Sequence, residues 1–354
     1  MNFPRQIDSR RQILLCSLTC LALAVLMFGP SLWLMRGYHP GTYQWDRAHT
    51  FLLQCEMPFR RDIEPAMFWR LLLPMVCHAA GLTGRAALLV PFAGVLALSV
   101  YVVALLRRRL ADARFVFGGS LMFATTSGVL VPLHWFGVGD AWVWLGQLAV
   151  AFGTAPWAIP LACLLAPWVD ERFIIGLPLA LVVRSAERGE RPTWRGLMTP
   201  GLWLIPYAAI RLAFSFNPLV AKATETFLVH QISWQTAVIL PWAPIGWWMG
   251  LRAAWVPAIF AINRQRWILG GTAAATAAIS LMLAADISRS IAILAPLSLL
   301  GLILFARQRP DLAPRGALWV GIANLFIPAA HIVYTKIDLI YPLPVEILRL
   351  LRRS

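Results

Sequence analysis

PFRRDIEPAMFWRLLLP, residues 58–74, begins with two arginines, Arg60 and Arg61, and an Asp-x-Glu pair. It then turns apolar for too few residues to cross a bilayer, and Arg70 sits inside the apolar part. A span needs about 17–25 predominantly apolar residues. The rest of the chain is rich in such runs, so the reading of these 17 residues sets the topology of everything after them.

The 354 residues are 59% hydrophobic and only 13% charged, too few charges to coat a soluble protein of this size. The composition therefore predicts an all-α, polytopic transmembrane bundle in one integral-membrane domain, residues 1–354. The formal charge is +15, and only two of the 31 basic residues are lysines, Lys222 and Lys336. The arginines fall mostly in short loops between apolar runs. That distribution predicts cytoplasmic loops and anionic headgroups, and no nucleic-acid partner.

Arg5, Arg10 and Arg11 precede a first span over 13–34 and place the N-terminus in the cytoplasm. This segment lacks a small-residue cleavage site and reads as an uncleaved anchor. The next secure span, 86–106, ends in RRRLADAR, residues 107–114, the strongest basic cluster. The cluster is cytoplasmic only if 66–80 does not cross. Residues 35–85 are therefore expected to form one periplasmic loop with two amphipathic interfacial helices, 42–59 and 63–81.

Alternation then gives spans at 115–133, three short or broken crossings within 141–184, and spans at 197–214, within 236–262, and at 268–285, 291–305 and 317–334. The total is about eleven. An outer loop, 215–234, and a short amphipathic tail, 335–354, complete the expectation. The tail's basic end opposes the positive-inside rule. The five cysteines show no metal-type spacing and read as small buried residues, with a Cys55–Cys77 disulfide left open.

Sorting charges by side leaves ordinary solvated carboxylates within the basic loops. It leaves Asp46, Asp62, Glu64, Asp140, Asp170, Glu171 and Asp286 on the outer side, several beside span ends. Ionisable groups at membrane depth line polar cavities or carry function, and otherwise hold helix ends. Asp46 in QWDRAH is placed to act as a general base, or to pair with Arg47. Asp62 and Glu64 suit a hard divalent cation through oxygen, or a helix start ahead of Pro65. Arg70 and Arg289 suit a phosphate by bidentate contact; the plainer readings are snorkelling for Arg70 and a local pair with Asp286 for Arg289. Asp140, Glu171 and Arg172 complete the substrate-binding candidates.

WRLLLP, residues 69–74, and DISRSIAILAP, residues 286–296, together with the interfacial loop and broken middle helices, resemble the GT-C class of bacterial membrane glycosyltransferases. The resemblance implies inverting transfer of a sugar from a polyprenyl-phosphate donor to a glycan or lipid-linked acceptor. It implies a periplasmic site in the inner membrane, Asp46 as base, and Arg70 and Arg289 at the donor phosphate. A cation such as Mg or Mn at Asp62 and Glu64 is implied only for a metal-dependent member. The chain departs from some relatives in having a single Asp46 where they carry an acidic pair, and in lacking a large C-terminal domain. A transporter or flippase of a lipid-linked saccharide and a non-enzymatic envelope assembly protein are the rival classes.

Overall fold

The computed structural model describes residues 9–32, 43–60, 62–63, 67–215, 237–283, 286–333 and 335–352; at 9, 43–46, 214–215 and 265–266 only the helical backbone is described. Glu64 and nearly all of the expected outer loop 215–234 lie outside the described residues. The helices are α1 (Ser9–Met27), α2 (Tyr43–Glu56), α3 (Leu72–Ala79), α4 (Leu89–Arg109), α5 (Ala113–Ala124), α6 (Ser127–His134), α7 (Asp140–Phe152), α8 (Ala158–Leu165), α9 (Arg172–Arg188), α10 (Trp194–Met198) and α11 (Ile205–Ser215). There follow α12 (Ala243–Leu251), α13 (Trp255–Leu283), α14 (Ile287–Ser290), α15 (Ala295–Gln308), α16 (Ala313–Phe326), the hairpin β1 (Ala329–Val333) and β2 (Lys336–Ile340), and α17 (Leu343–Arg352). Among the described residues four helical stretches are long and apolar enough to cross a membrane: Arg10–Met27, Gly84–Arg109, Leu240–Arg264 and Ile287–Gln308. The bent pair α5–α6 makes a fifth.

Polar contacts at helix ends give the direction of each helix. Asp140, which opens α7, bonds Arg172, which opens α9, and Arg289 in α14. At the far ends Arg184 of α9 donates to the carbonyls of Val150 and Gly153, where α7 stops. Glu187 of α9 there accepts Arg109 from the end of α4 and Arg307 from the end of α15. So α4, α7, α9 and α15 run the same way. The basic segments 107–109, 184–191 and 307–309 gather at one end of the bundle. Asp140, Asp170, Arg172 and Arg289 gather at the other, called here the cleft end.

The return paths are less regular. α5 and α6 meet at an angle of 54°. Thr125 and Thr126 turn their hydroxyls back onto the α5 carbonyls, and Asn324 donates to Met122 O and Thr125 Oγ1 across the break. A kink inside apolar surroundings survives when such side chains satisfy the loosened backbone. α16 lies against α5 at backbone distance, because Gly118 and Gly321 face each other. A Cβ on Gly118 would lie 2.4 Å from the Leu318 backbone.

α13 is helical over 29 residues, about 43 Å if straight. It is not straight: a Cβ on Gly270 would touch Ile262, eight residues earlier. Pro257 lies against Gly301, and Arg264 reaches Gln308 at the basic end, whereas Asp286 is back at the cleft end. The chain reverses near 265–266, between the two segments expected at 236–262 and 268–285. Just before α13, Arg252 breaks the path with φ 51° and lies buried, bonded to Ile327 O and stacked on Phe28.

Two expectations need adjustment. The second interfacial helix is eight residues, Leu72–Ala79, not 63–81, and Arg70 sits in the turn ahead of it. At about 12 Å it is too short to cross a bilayer. The segment expected as a span over 317–334 stays helical only to Phe326. Ile327 turns extended (φ −69°, ψ 126°) because Pro328 follows, and the chain enters the β1–β2 hairpin. All five cysteines are free thiols.

Candidate functional site

Five of the residues singled out from sequence, scattered from position 70 to 289, converge at the cleft end. Asp140 is the hub and is 1% exposed. Its carboxylate accepts Arg289 in a fork, Nε and Nη2 both at 2.6 Å, and Arg172 Nη2 at 2.6 Å. Asp170 accepts the Arg172 backbone N at 3.0 Å and its Nε at 2.8 Å. Asp170 also pairs with Arg70 Nη2 at 3.0 Å. Local sequence places these groups. Asp170 precedes α9 and binds its first N–H, as an acidic residue at a helix start does. Asp286 caps the turn carrying Arg289, accepting Arg289 N at 3.0 Å and Ser288 Oγ at 3.1 Å.

Glu171 points to the rim, where it accepts Arg211 Nη1 at 2.9 Å. Arg211 in turn stacks on Trp69 at 4.5 Å. Arg172 lies over Trp144 at 5.5 Å. Such fully bonded arginines are held in one orientation. Arg70 is the looser one: its Nε has no hydrogen bond and stands 3.9 Å from Glu171.

The cluster forms the floor of a narrow cleft. Its walls are Arg47, Phe51 and Gln54 of α2, Met67 and Arg70 of the following turn, Leu73 and Pro74 of α3, Gly137–Asp140, Val169, Asp170 and Arg289. Thus α2 and the segment 67–74 cover the cluster. Gly137 (φ 75°) makes the tight turn under α2, where a side chain would meet Ala48 and Phe51.

Within the cluster three guanidiniums, Arg70, Arg172 and Arg289, face two carboxylates, Asp140 and Asp170. Glu171 stands 3.9 Å from Arg70 at the rim. Burial alone disfavours a charged Asp170; the Arg172 and Arg70 guanidiniums outweigh it and hold the carboxyl well below its ordinary range. The first turns of α7 and α9 also end at the cluster, and helix N-termini favour negative charge. The arrangement can hold a small anion at its arginines.

The remaining sequence candidates sit elsewhere. Asp46 lies on α2, the helix over the cleft, but its side chain is outside the described residues. Asp62 is exposed and paired with Arg60, which lowers its carboxyl to about 2. Glu64 is outside the described residues. Among those residues no three His, Cys, Asp or Glu side chains are grouped to hold a metal. Asp286 touches the cluster only through the Arg289 backbone. The site residue that sequence reasoning passed over is Arg211; Asp170 was grouped with the outer carboxylates without a binding role. Arg211 left a signal, a lone charge inside the apolar run 205–213. Compared with protein-family models, with curated proteins and with solved structures, the chain matches none, so the reading of its function rests on this geometry.

Proposed function

We propose that this chain is a membrane glycosyltransferase that takes a sugar from a polyprenyl-phosphate donor, with inversion, and passes it to a glycan or lipid-linked acceptor at the cleft. In this reading it crosses a bacterial inner membrane eleven times, with the basic end cytoplasmic and the cleft periplasmic. The observation that carries it is the cluster of Arg70, Arg172 and Arg289 at the floor of the cleft, where the Arg70 Nε has no hydrogen bond, under the cover of α2 and the segment 67–74. A guanidinium with a free N–H suits a phosphodiester oxygen. A lipid-linked phosphodiester also arrives sideways, at headgroup depth, where α2 and α3 lie.

The division of labour follows. Arg70, with an unbonded Nε, contacts the phosphate directly. Arg289 and Arg172, locked by Asp140, supply fixed positive charge at the floor. The acceptor hydroxyl gives its proton to the Asp46 carboxylate as its oxygen attacks the sugar C1. The C1–O bond to phosphate breaks, and polyprenyl phosphate leaves as an anion stabilised by the same arginines. A phosphate leaving group needs little acid assistance.

The test is binding and transfer of synthetic polyprenyl-phosphate sugars by the protein in lipid nanodiscs. Arg70→Ala is expected to weaken donor binding about tenfold or more. Asp46→Asn is expected to keep donor binding and lose transfer by about 10²–10⁴-fold. Transfer surviving in Asp46→Asn would remove the base assignment. Movement of intact donor between leaflets without transfer would replace the enzyme by a transporter. No binding of any polyprenyl-phosphate sugar would end the reading.

A further inference from the structure

A second cavity lies at the opposite end of the bundle, and the cleft chemistry does not use it. It is an open cavity of about 430 Å³ between the start of α8, the last turns of α9 and the segment 193–203. α9 connects the two sites: Arg172 opens it at the cleft and Arg188 closes it here. Seventeen helical residues put about 25 Å between them, close to the span between the two headgroup layers of a bilayer.

Gly189, at φ 72°, ends α9 and turns the chain so that Arg188, Glu190 and Arg191 ring the mouth. Arg184 is committed to the Val150 and Gly153 carbonyls. Arg188 and Arg191 make no hydrogen bond or ion pair among the described residues, and Glu190 is the one carboxylate on the lining. The lining thus carries two more positive than negative charges. Its other half is apolar, with Pro160, Leu197 and Trp203. Around it Trp157, Leu161 and Leu202 are 45–63% exposed, the surface a hydrocarbon tail covers.

We infer that this cavity is a binding site for an anionic phospholipid. The headgroup phosphate lies between Arg188 and Arg191, and the acyl chains run along Trp157, Leu161 and Trp203. Basic pockets between membrane helices take acidic headgroups in this way, and a guanidinium fork suits a phosphodiester. A soluble anion would leave the apolar half uncovered; a zwitterionic lipid would add a cation to a site already positive. The inference does not rest on the glycosyltransferase reading.

The experiment is native mass spectrometry of the full chain released from nanodiscs holding equal parts phosphatidylglycerol and phosphatidylcholine. The expected result is selective retention of phosphatidylglycerol. The Arg188→Ala/Arg191→Ala variant lowers it by about tenfold per guanidinium. The control Arg309→Ala/Arg315→Ala loses the same charge, at exposed positions of the same end, and retains the lipid. Arg191→Glu alone gives a second reading should the double variant fail to fold. Equal retention of the two lipids, equal loss in the control, or no loss in either cavity variant overturns the inference. Full displacement of the lipid by inorganic phosphate also overturns it, marking a phosphate site instead.

Discussion

At the scale of single residues, Asp140 decides whether the cleft end holds together. It hydrogen-bonds both Arg172 and Arg289, whereas Asp170 bonds Arg172 and stands 3.9 Å from Arg289. Asp140→Ala removes the closest carboxylate partner of two buried guanidiniums. Removing one partner from a buried ionic group costs about 3–5 kcal/mol, and thermal unfolding in detergent should show a loss of that size. Arg70→Ala should differ: Asp170 keeps Arg172, Arg70 is partly exposed, and stability should change by less than about 1 kcal/mol while donor binding falls. A cluster is more informative than any member here, since Arg70 and Arg289 each have a bland reading alone. The sequence showed a charge inside an apolar run at both positions. It did not show that the 218 residues between them fold so that both reach one arginine–aspartate cluster.

Asp170 also carries a pH consequence. Its folded-state pKa is depressed, so its contribution to stability is complete above the ordinary carboxylate range and is lost only as pH falls through the lower, folded value. Unfolding curves of the parent and of Asp170→Asn, compared from pH 7 downward, should stay separated by a constant gap to about pH 4 and converge below it. A gap that closes between pH 7 and 5 would mean that the arginines do not hold this carboxylate.

At the scale of elements, bent helices rather than long ones build the bundle, and each bend has a polar or glycine cause. Asn324 closes the α5–α6 break with two donated bonds and accepts Ala253 N with its oxygen. Asn324→Leu leaves those buried groups unpaired and should cost about 2–3 kcal/mol, read as a lower melting temperature. Gly118→Val forces α5 and α16 apart and should impair folding outright, seen as loss of the monodisperse peak in detergent chromatography. The first of the two loop helices was legible as a helix, 42–59 expected against Tyr43–Glu56 found, because its polar and apolar residues alternate with helical period. The second was overextended, because apolar content alone does not say where a turn ends and a helix starts. The hairpin after Phe326 was missed for a similar reason: AAHIVY is as apolar as a span end, and Pro328 was the clue that the helix stops.

At the scale of the whole molecule, the polarity of the bundle is its main result. Four helices run in one direction, tied by arginines and carboxylates at both ends. All described basic clusters between helices fall at one end and the arginine–aspartate cluster at the other. Cysteines introduced at 62 and 309 in a cysteine-free background should label from opposite sides of sealed vesicles. Labelling of both from the same side would mean that the helix directions do not correspond to membrane crossings.

The sequence by itself determined that the chain is a helical, membrane-associated bundle, and it set the expectation that residues 66–80 do not cross and that the basic loops share a side. Those follow from local composition and charge, which a bilayer reads one segment at a time. The tertiary structure decided which outer charges form a site. Asp140 joined Arg172 and Arg289, Asp170 took up Arg70, and Asp62 stayed apart on the surface with Arg60. Such pairing depends on which helix ends become neighbours. That is set by side-chain packing and by close glycine contacts between segments distant in sequence, and no local window contains it.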